Sequence, residues 1–454
     1  MIYRIPYGTP MTLDLLWKLI QKHKGYVARY SRPLQDAYEN RYEIFRLPPK
    51  PPYKPDNRIA VNYAKYITDT FNGFFIGIPV KVTSPDEQVE EYIDFLNSTN
   101  DGDNNNAEIS KLCDISGASF EMYYNKEDGE IGMTYLSDLE AFMVVDDSIL
   151  ERPMYFVRYY TTTDLDGGKT ERGSWSDAEN VYHFYARGGE YHLADDPHRH
   201  GFGYVPAVEY IANDERMGLF ESAMPSINAY NKAISEKAND VDYFADAYMK
   251  IIGAKVDEED TMHMRSTRLI NFEGDITDGN APIVEFMDRP ESDQSQEHLL
   301  ERLKTDIFLT SMVANISDEN FGTSSGIALR YKLEAMSNLF MAKSRRFTSA
   351  MTERYKIIFS NPVSQVHKVS KEAWRDINIK FTANYPANLE SEAEVAKSLE
   401  GVVSKETQLK VLSLVDNIND ELERLENEAM PSVTDNIWGV SNGTTDTTPT
   451  NTTA

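Results

Sequence analysis

"SAMPSINAYNKAISEKANDVDYFADAYMK", residues 222–250, is the stretch on which the fold turns. Ile227, Ile234, Val241 and Tyr248 recur at intervals of seven, with Tyr230 and Phe244 between them. Glu236, Asp240, Asp242 and Asp246 occupy the other faces. An apolar stripe of that period predicts one amphipathic helix. At ~1.5 Å per residue it would reach roughly 43 Å.

The residues ahead of it obey a different period. From 118 to 212, "SFEMYYNKEDGEIGMTYL", "AFMVVDD", "MYFVRYYTTT", "NVYHFYA" and "AVEYIAN" are short, aromatic and β-branched, with turn residues between them. This is an antiparallel β region. Further upstream, residues 12–47 read as helical, with Leu15, Leu16, Leu19 and Ile20 on one face, and "LPPKPPYKP" (47–55) is a proline-stiffened connector. "NRIAVNYAKYITDTFNGFFIG" (57–77) predicts a helix closing at Gly73, and "IPVKVTS" a strand. Two more helices, "DEQVEEYIDFLNSTN" and "NNNAEISKLCDISGAS", follow.

Downstream, residues 255–290 return to short strands ("RLINFEGD", "IVEFMD"). Asp293 with Gln296 predicts a capping box for a helix over 294–314, buried through Leu299, Leu300, Leu303 and Ile307. The soft stretch "ISDENFGTSSGIALRYKLEAM" (316–336) then leads into a helix over about 326–359, long enough for roughly 50 Å. "INIKFTANYP" is a strand, and acidic helices over 389–400 and 404–428 are split by Gly401. The last 24 residues, rich in Thr and Asn, predict a disordered tail.

Composition bounds the function. The 454 residues exceed one ordinary core, and 41% hydrophobic with 26% charged residues is ordinary for a soluble protein. No run approaches ~18 apolar residues, so no membrane span is expected, and the start lacks the pattern of a signal peptide. Cys113, the only cysteine, excludes an internal disulfide, fits a reducing compartment, and reads as a small buried hydrophobe. A net charge of −27 argues against a protein that grips phosphates.

Local motifs for chemistry fail. "TDLDGGKT" (163–170) ends like a phosphate loop, yet Thr163 stands where Gly is needed and strands flank it, so it reads as a hairpin turn at Gly167 and Gly168. Read as a calcium loop, it has Trp175 where the bidentate Glu belongs. "HLADDPHRHG" gathers His192, Asp195, Asp196, His198 and His200, ligands in type, but no second cluster completes them, and it reads as a solvated loop. No catalytic, cofactor-binding or metal-binding residue is assigned. The chain is not expected to be an enzyme.

Four stretches, in order, resemble the portal proteins of tailed double-stranded DNA bacteriophages, of the type found in long-tailed phages of Gram-positive hosts. They are "NRIAVNYAKYITDTFNGFFIGIPV" (57–80), "FGYVPAVEYIANDERMGLFESAMPSINAYNKAISEKANDVDYFADAYM" (202–249), "TSSGIALRYKLEAM" (323–336) and "NYPANLESEAEVAKSLEGVVSKETQL" (384–409). Asn228 departs from the Asp usual before "AYN", and residues 255–290 match in length and strand character alone. The resemblance implies an α+β subunit of a ring, usually of twelve, at one capsid vertex. Residues 1–218 with 361–388 would be a mixed α/β wing, 219–250 and 294–314 the stem helices, and 251–293 a strand-rich clip. Residues 315–325 would be a tunnel loop, 326–360 a long spine helix and 389–430 a helical crown, with 431–454 the disordered tail.

The same resemblance implies a channel through which terminase pumps DNA in and DNA later leaves into the tail. Glu236, Asp240 and Lys304 would line its stem, and Arg265, Arg268, Asp278 and Asn280 of the clip would meet partner proteins. The tunnel loop would present Asn315, Ser317, Asp318, Glu319, Asn320, Phe321, Gly322, Thr323, Ser324 and Ser325 to the DNA. Gly322 and Gly326 suit a sharp turn, Ser324 or Ser325 a helix cap, and Phe321 fits either the DNA face or an anchor into a neighbouring stem. Implied partners are further copies of the chain, double-stranded DNA, the terminase large subunit, a head-completion or adaptor protein, and the major capsid and scaffolding proteins. No cofactor and no membrane are implied. The implied place is the virion, after assembly in the bacterial cytoplasm. Another structural head protein with coiled-coil helices stays open as the alternative.

Overall fold

The computed structural model describes residues 2–52, 54–163, 165–245, 249–252, 283–286, 293–317, 331–385, 389–412, 415, 421–422 and 424–425. The chain divides into two units, Met1–Thr323 with Leu329–Asn384, and Ser324–Ala328 with Tyr385–Ala454.

The first unit opens with β1 (Tyr3–Ile5), α1 (Leu13–Tyr26) and α2 (Arg32–Tyr38). The single helix expected over 12–47 is therefore broken. Pro33 lies in the first turn of α2 and gives Arg29's carbonyl no donor, so the ladder widens into a π-helical turn, Val27–Ser31. Helix α3 (Tyr63–Ile76) runs past Gly73 and is capped at Gly77. There follow β2 (Lys81–Thr83), α4 (Glu87–Thr99) and α5 (Gly102–Ser116). Gly117 ends α5 at φ +87°, where a Cβ would stand 2.2 Å from the Arg216 carbonyl oxygen.

The β region bears out the period-two reading. Its strands are β3 (Ala118–Asn125), β4 (Ile131–Ser137), β5 (Ala141–Asp146), β6 (Pro153–Thr163), β7 (Lys169–Ser176), β8 (Asn180–Arg187), β9 (Glu190–Leu193), β10 (His198–Arg199) and β11 (Ala207–Ile211). Seven form one sheet in the order β1-β5-β6-β7-β8-β10, with β9 also on β8; β11-β3-β4 form a second. All pairs in them are antiparallel except β1 on β5. Alternation along β5 sends Phe142 and Val144 against Leu16, Leu19 and Ile20 of α1, and Ala141, Met143 and Val145 against Phe120 and Val205. Thr163 pairs with Lys169 across the β6–β7 hairpin and Gly167 takes φ +82°, so no helix follows "DGGKT".

Next come α6 (Met224–Ala245), β12 (Met249–Ile252), β13 (Ile283–Phe286), α7 (Asp293–Ser311), α8 (Glu334–Ser360) and β14 (Asn378–Lys380), which pairs with β2. The helix expected over 222–250 stops at Ala245, and Met249–Ile252 pairs antiparallel with Ile283–Phe286. The long helix expected from 326 has a turn at Leu333 and is continuous from Glu334. In the second unit, α9 (Leu389–Ser398) and the five-residue α10 (Lys405–Leu409) fall within the acidic helices expected over 389–400 and 404–428, and residues 421–422 and 424–425 are helical again. Gln408 Nε2 donates to the Ala396 carbonyl at 2.7 Å. The predicted tail, 431–454, lies outside the described residues.

Helix α8 crosses the core of the first unit carrying two buried cations. Arg354 Nε donates to Glu121 Oε2 at 2.8 Å, and its Nη2 to Asn106 at 2.6 Å. Lys343 Nζ donates to Asp114 Oδ1 and Ser110 Oγ, both at 2.8 Å. Burial pushes the Asp114 carboxyl up to about 6, with Lys343 pulling it down. Cys113 beside it is buried, its thiol pushed up to about 12 by burial, which fits the reading of a small core hydrophobe.

Removing Lys343 should strand that carboxylate. A carboxyl raised in the folded state stabilises below its unfolded value and loses that contribution as pH rises through its folded value. Lys343→Met is therefore expected to cost about 3–5 kcal/mol near pH 8 and clearly less near pH 5. Thermal unfolding of the variant and the parent at both values measures it.

Candidate functional site

Helices α6 and α7, with the segment that leaves α7, hold Glu236, Asp240, Lys304, Asn315 and Ser317 of the residues singled out in the sequence. The two helices run antiparallel. Near one end Gln296 Nε2 donates to Asp240 Oδ2 at 2.9 Å and Lys237 pairs with Glu297, while Tyr230 and Phe308 both pack on Tyr63. Gln296 thus ties α7 to α6.

The heptad stripe is not the face that α6 buries. Ile227 is buried, Ile234 half-buried and Val241 47% exposed. The buried residues further along the helix are polar: Asn231, Ser235 and Asn239. They meet the extended chain that follows the proline connector. Val61 N–H donates to Asn231 Oδ1 at 2.8 Å, Ile59 N–H to Ser235 Oγ at 2.9 Å, and Asn57 N–H to Asn239 Oδ1 at 2.6 Å. Every fourth helix residue serves every second extended residue. The repeats match because four helical residues rise ~6.0 Å and two extended residues ~6.6 Å. An Asn at 231 or 239 therefore takes the place of a strand partner for the extended chain.

Two of the proposed channel-facing residues, Glu236 and Asp240, flank this ladder on α6. Glu236 pairs with Lys50 of the connector at 2.7 Å and accepts from Asn239, and the Lys50 ammonium holds its carboxyl below the ordinary range. Asp240 accepts from Gln296, and Lys304 is half-buried on α7. On α7, Leu300 and Ile307 are buried, but Leu299 is 50% and Leu309 73% exposed. Met312, at φ +59°, ends the helix in the left-handed region without a glycine. Beyond it Val313 is buried, Ile316 N–H donates to the Tyr66 hydroxyl at 2.9 Å, and Ser317 Oγ donates to Asn315 Oδ1 at 2.9 Å. Asp318, Glu319, Asn320, Phe321, Gly322, Thr323, Ser324 and Ser325 lie outside the described residues, as do Arg265, Arg268, Asp278 and Asn280.

Of the loop "HLADDPHRHG", only Asp195 and His198 come together. His200 turns inward, its Nε2 against the Asp177 carbonyl, and His192 lies against the Tyr185 ring. The third member is His183 of β8, which the local reading of the loop missed. An alternating strand placed before the loop was the available signal.

With this architecture in view, comparison with known proteins decides the family. Residues 17–432 match the family described as "Phage portal protein, SPP1 Gp6-like". The chain belongs to that portal family. A portal protein of Bacillus phage SPP1 is 22% identical over 396 residues, covering 83% of this chain and 76% of that protein. A portal protein of Clostridium phage phiCD119 is 23% identical over 232 residues, covering 50% of this chain and 49% of its own length. A solved structure titled "Neck of empty GTA particle computed with C6 symmetry" aligns with a TM-score of 0.45 and 13% identity over 77% of this chain and 89% of that one. For this portal-family chain the fold is mixed α/β, and no helix among the described residues is long and apolar enough to cross a membrane.

The ladder on α6 is expected to be the attachment of the connector. Asn231→Ala leaves the Val61 N–H without its partner, at a cost of about 1–3 kcal/mol. Hydrogen exchange should then speed up at residues 57–61 while the buried centre of α8 stays protected.

Proposed function

We propose that this chain is the subunit of a portal ring at one capsid vertex, the channel for DNA during packaging and ejection and the platform on which terminase and head–tail connector proteins dock. The observation that carries the reading is the portal-family match over residues 17–432, which runs through both helices of the α6–α7 pair and the segments at either end of it. On this reading α6 and α7 are the stem, residues 251–293 the clip, 315–325 the tunnel loop and 326–360 the spine. Residues 1–218 with 361–388 are the wing and 389–430 the crown. Twelve copies close the ring.

Two physical features support it. Val241, Leu299 and Leu309 are large apolar side chains left in water by a single subunit, and burying such surface is what a neighbouring subunit does. A net charge of −27 gives little to hold a passing polyanion, so DNA can slide. Within the ring, Glu236, Asp240 and Lys304 line the stem, Asn315 to Ser325 touch the DNA, and Arg265, Arg268, Asp278 and Asn280 meet the docking proteins. The family is a structural one, and the ring works as a conduit in the virion without chemistry of its own.

Negative-stain imaging or mass photometry of the purified chain is expected to show closed rings with a central channel. Leu309→Asp should fold as a subunit yet fail to close rings, because its side chain is exposed in the subunit alone. A chain that stays monomeric under every assembly condition would count against the ring. Asp318→Lys with Glu319→Lys should slow packaging and make it salt-sensitive; an unchanged rate would take the loop off the DNA path.

A further inference from the structure

We propose that His183, Asp195 and His198 form a binding site for a zinc-class divalent ion at the edge of the seven-stranded sheet. The site is made by an irregularity in strand pairing. β9 pairs with β8 as far as Phe184 opposite Leu193, and β10 resumes with Val181 opposite His198. Two residues of β8 therefore face four residues of the returning chain, 194–197. The surplus must bulge, and Pro197, with no N–H, cannot rejoin the ladder. The Ala194 N–H to His183 carbonyl bond, at 2.9 Å, fixes the base of the bulge beside His183.

The bulge swings Asp195 between the two imidazoles. His183 Nδ1 lies 3.0 Å from Asp195 Oδ2, and His198 Nε2 lies 3.4 Å from the same oxygen. One ligand atom from each of the three residues falls within 4.8 Å of the others. Ligands ~2.0–2.1 Å from a tetrahedral ion stand about 3.3 Å apart, so two of the three separations already suit one ion.

Two imidazoles with one carboxylate suit zinc, cobalt, nickel or copper, and not the all-oxygen shells of calcium or magnesium. Three protein ligands leave a fourth position open to water or to a donor from another molecule. All three side chains are partly exposed, 40%, 42% and 58% for His183, Asp195 and His198. In that setting their ion pairs alone contribute little to stability, whereas a shared ion would staple the bulged edge strand to β8.

The test uses the untagged full-length chain, stripped with a chelator and titrated with Zn2+ by calorimetry and with Co2+ by visible absorption. One Co2+ per chain with the intense d–d bands of a tetrahedral site is expected. His183→Ala, Asp195→Asn and His198→Ala should each weaken binding by at least about tenfold, and His192→Ala, which lies opposite Tyr185 and outside the cluster, should not. Circular dichroism of each variant separates lost binding from lost fold. Absence of saturable binding, or binding that survives both histidine substitutions in folded protein, overturns the site.

Discussion

Two buried cations on one helix hold the first unit in register. Arg354 and Lys343 lie on α8 with about 1% exposure each, and each meets a carboxylate from a different element: Glu121 on β3 and Asp114 on α5. Withdrawing such charges from water is costly and is offset only by close geometry and further hydrogen bonds. Both sites supply them through one carboxylate oxygen each, while Asp114 Oδ2 and Glu121 Oε1 are buried without a partner. Glu121 Oε2 also accepts from the Tyr123 and Tyr210 hydroxyls, and Lys343 lies over the rings of Phe75, Phe71 and Phe347, nearest at 4.4 Å from Phe75. Apolar side chains of the same volume often give a buried site equal stability. What the ions add is position, because sliding α8 by one turn would leave both charges unpaired in the core. The helix is thereby locked against the second sheet and α5.

A second polar contact sets how the α6–α7 pair joins this core. Extended residues 57–61 have no strand beside them among the described residues, so their N–H groups take another acceptor. Asn231, Ser235 and Asn239 supply it from a helix face, and Ser235 Oγ returns a bond to the Ile59 carbonyl at 3.0 Å. Apolar side chains could bury the same area, but only polar ones read out the strand's two-residue repeat. The contact therefore fixes axial position along α6 where hydrophobic packing alone would allow sliding.

The sequence made local order legible and long-range order opaque. The alternation of β5 and of the strands around it, the start of α7 and the end of α8 could be read because they depend on neighbours two to four residues away. The identity of the buried face of α6 could not. Its heptad of Ile227, Ile234 and Val241 is a true helical pattern, yet the face the chain covers is the polar one. Arg354, Lys343, Glu121 and Asp114 look like surface charges in sequence, since nothing local marks a charge as paired across 229 or 233 residues. His183 escaped for the same reason, and so did the parallel pairing of β1 with β5, which joins Tyr3 to Val144. The family resemblance was legible because it rests on long ordered stretches, and the match over residues 17–432 bears it out.

These contacts bear on how the chain's acidity is deployed. Several carboxylates of the helix pair are not free side chains in water: Glu236 is held by Lys50, Asp240 by Gln296, Glu297 by Lys237 and Asp242 by Asn57. A carboxylate fixed by an amide keeps its full negative charge, and one fixed by a lysine forms a local dipole whose field fades within a Debye length of about 8 Å. Along α6 lysine-held Glu236 is followed by amide-held Asp240 and Asp242. A surface of that kind repels a polyanion gently and evenly. Two of its cations, Lys50 and Lys237, are engaged by carboxylates and are not free to catch a phosphate. For a proposed conduit the fixed pairing is thus as useful as the net charge: the first removes sticking points, and the second keeps the duplex off the wall.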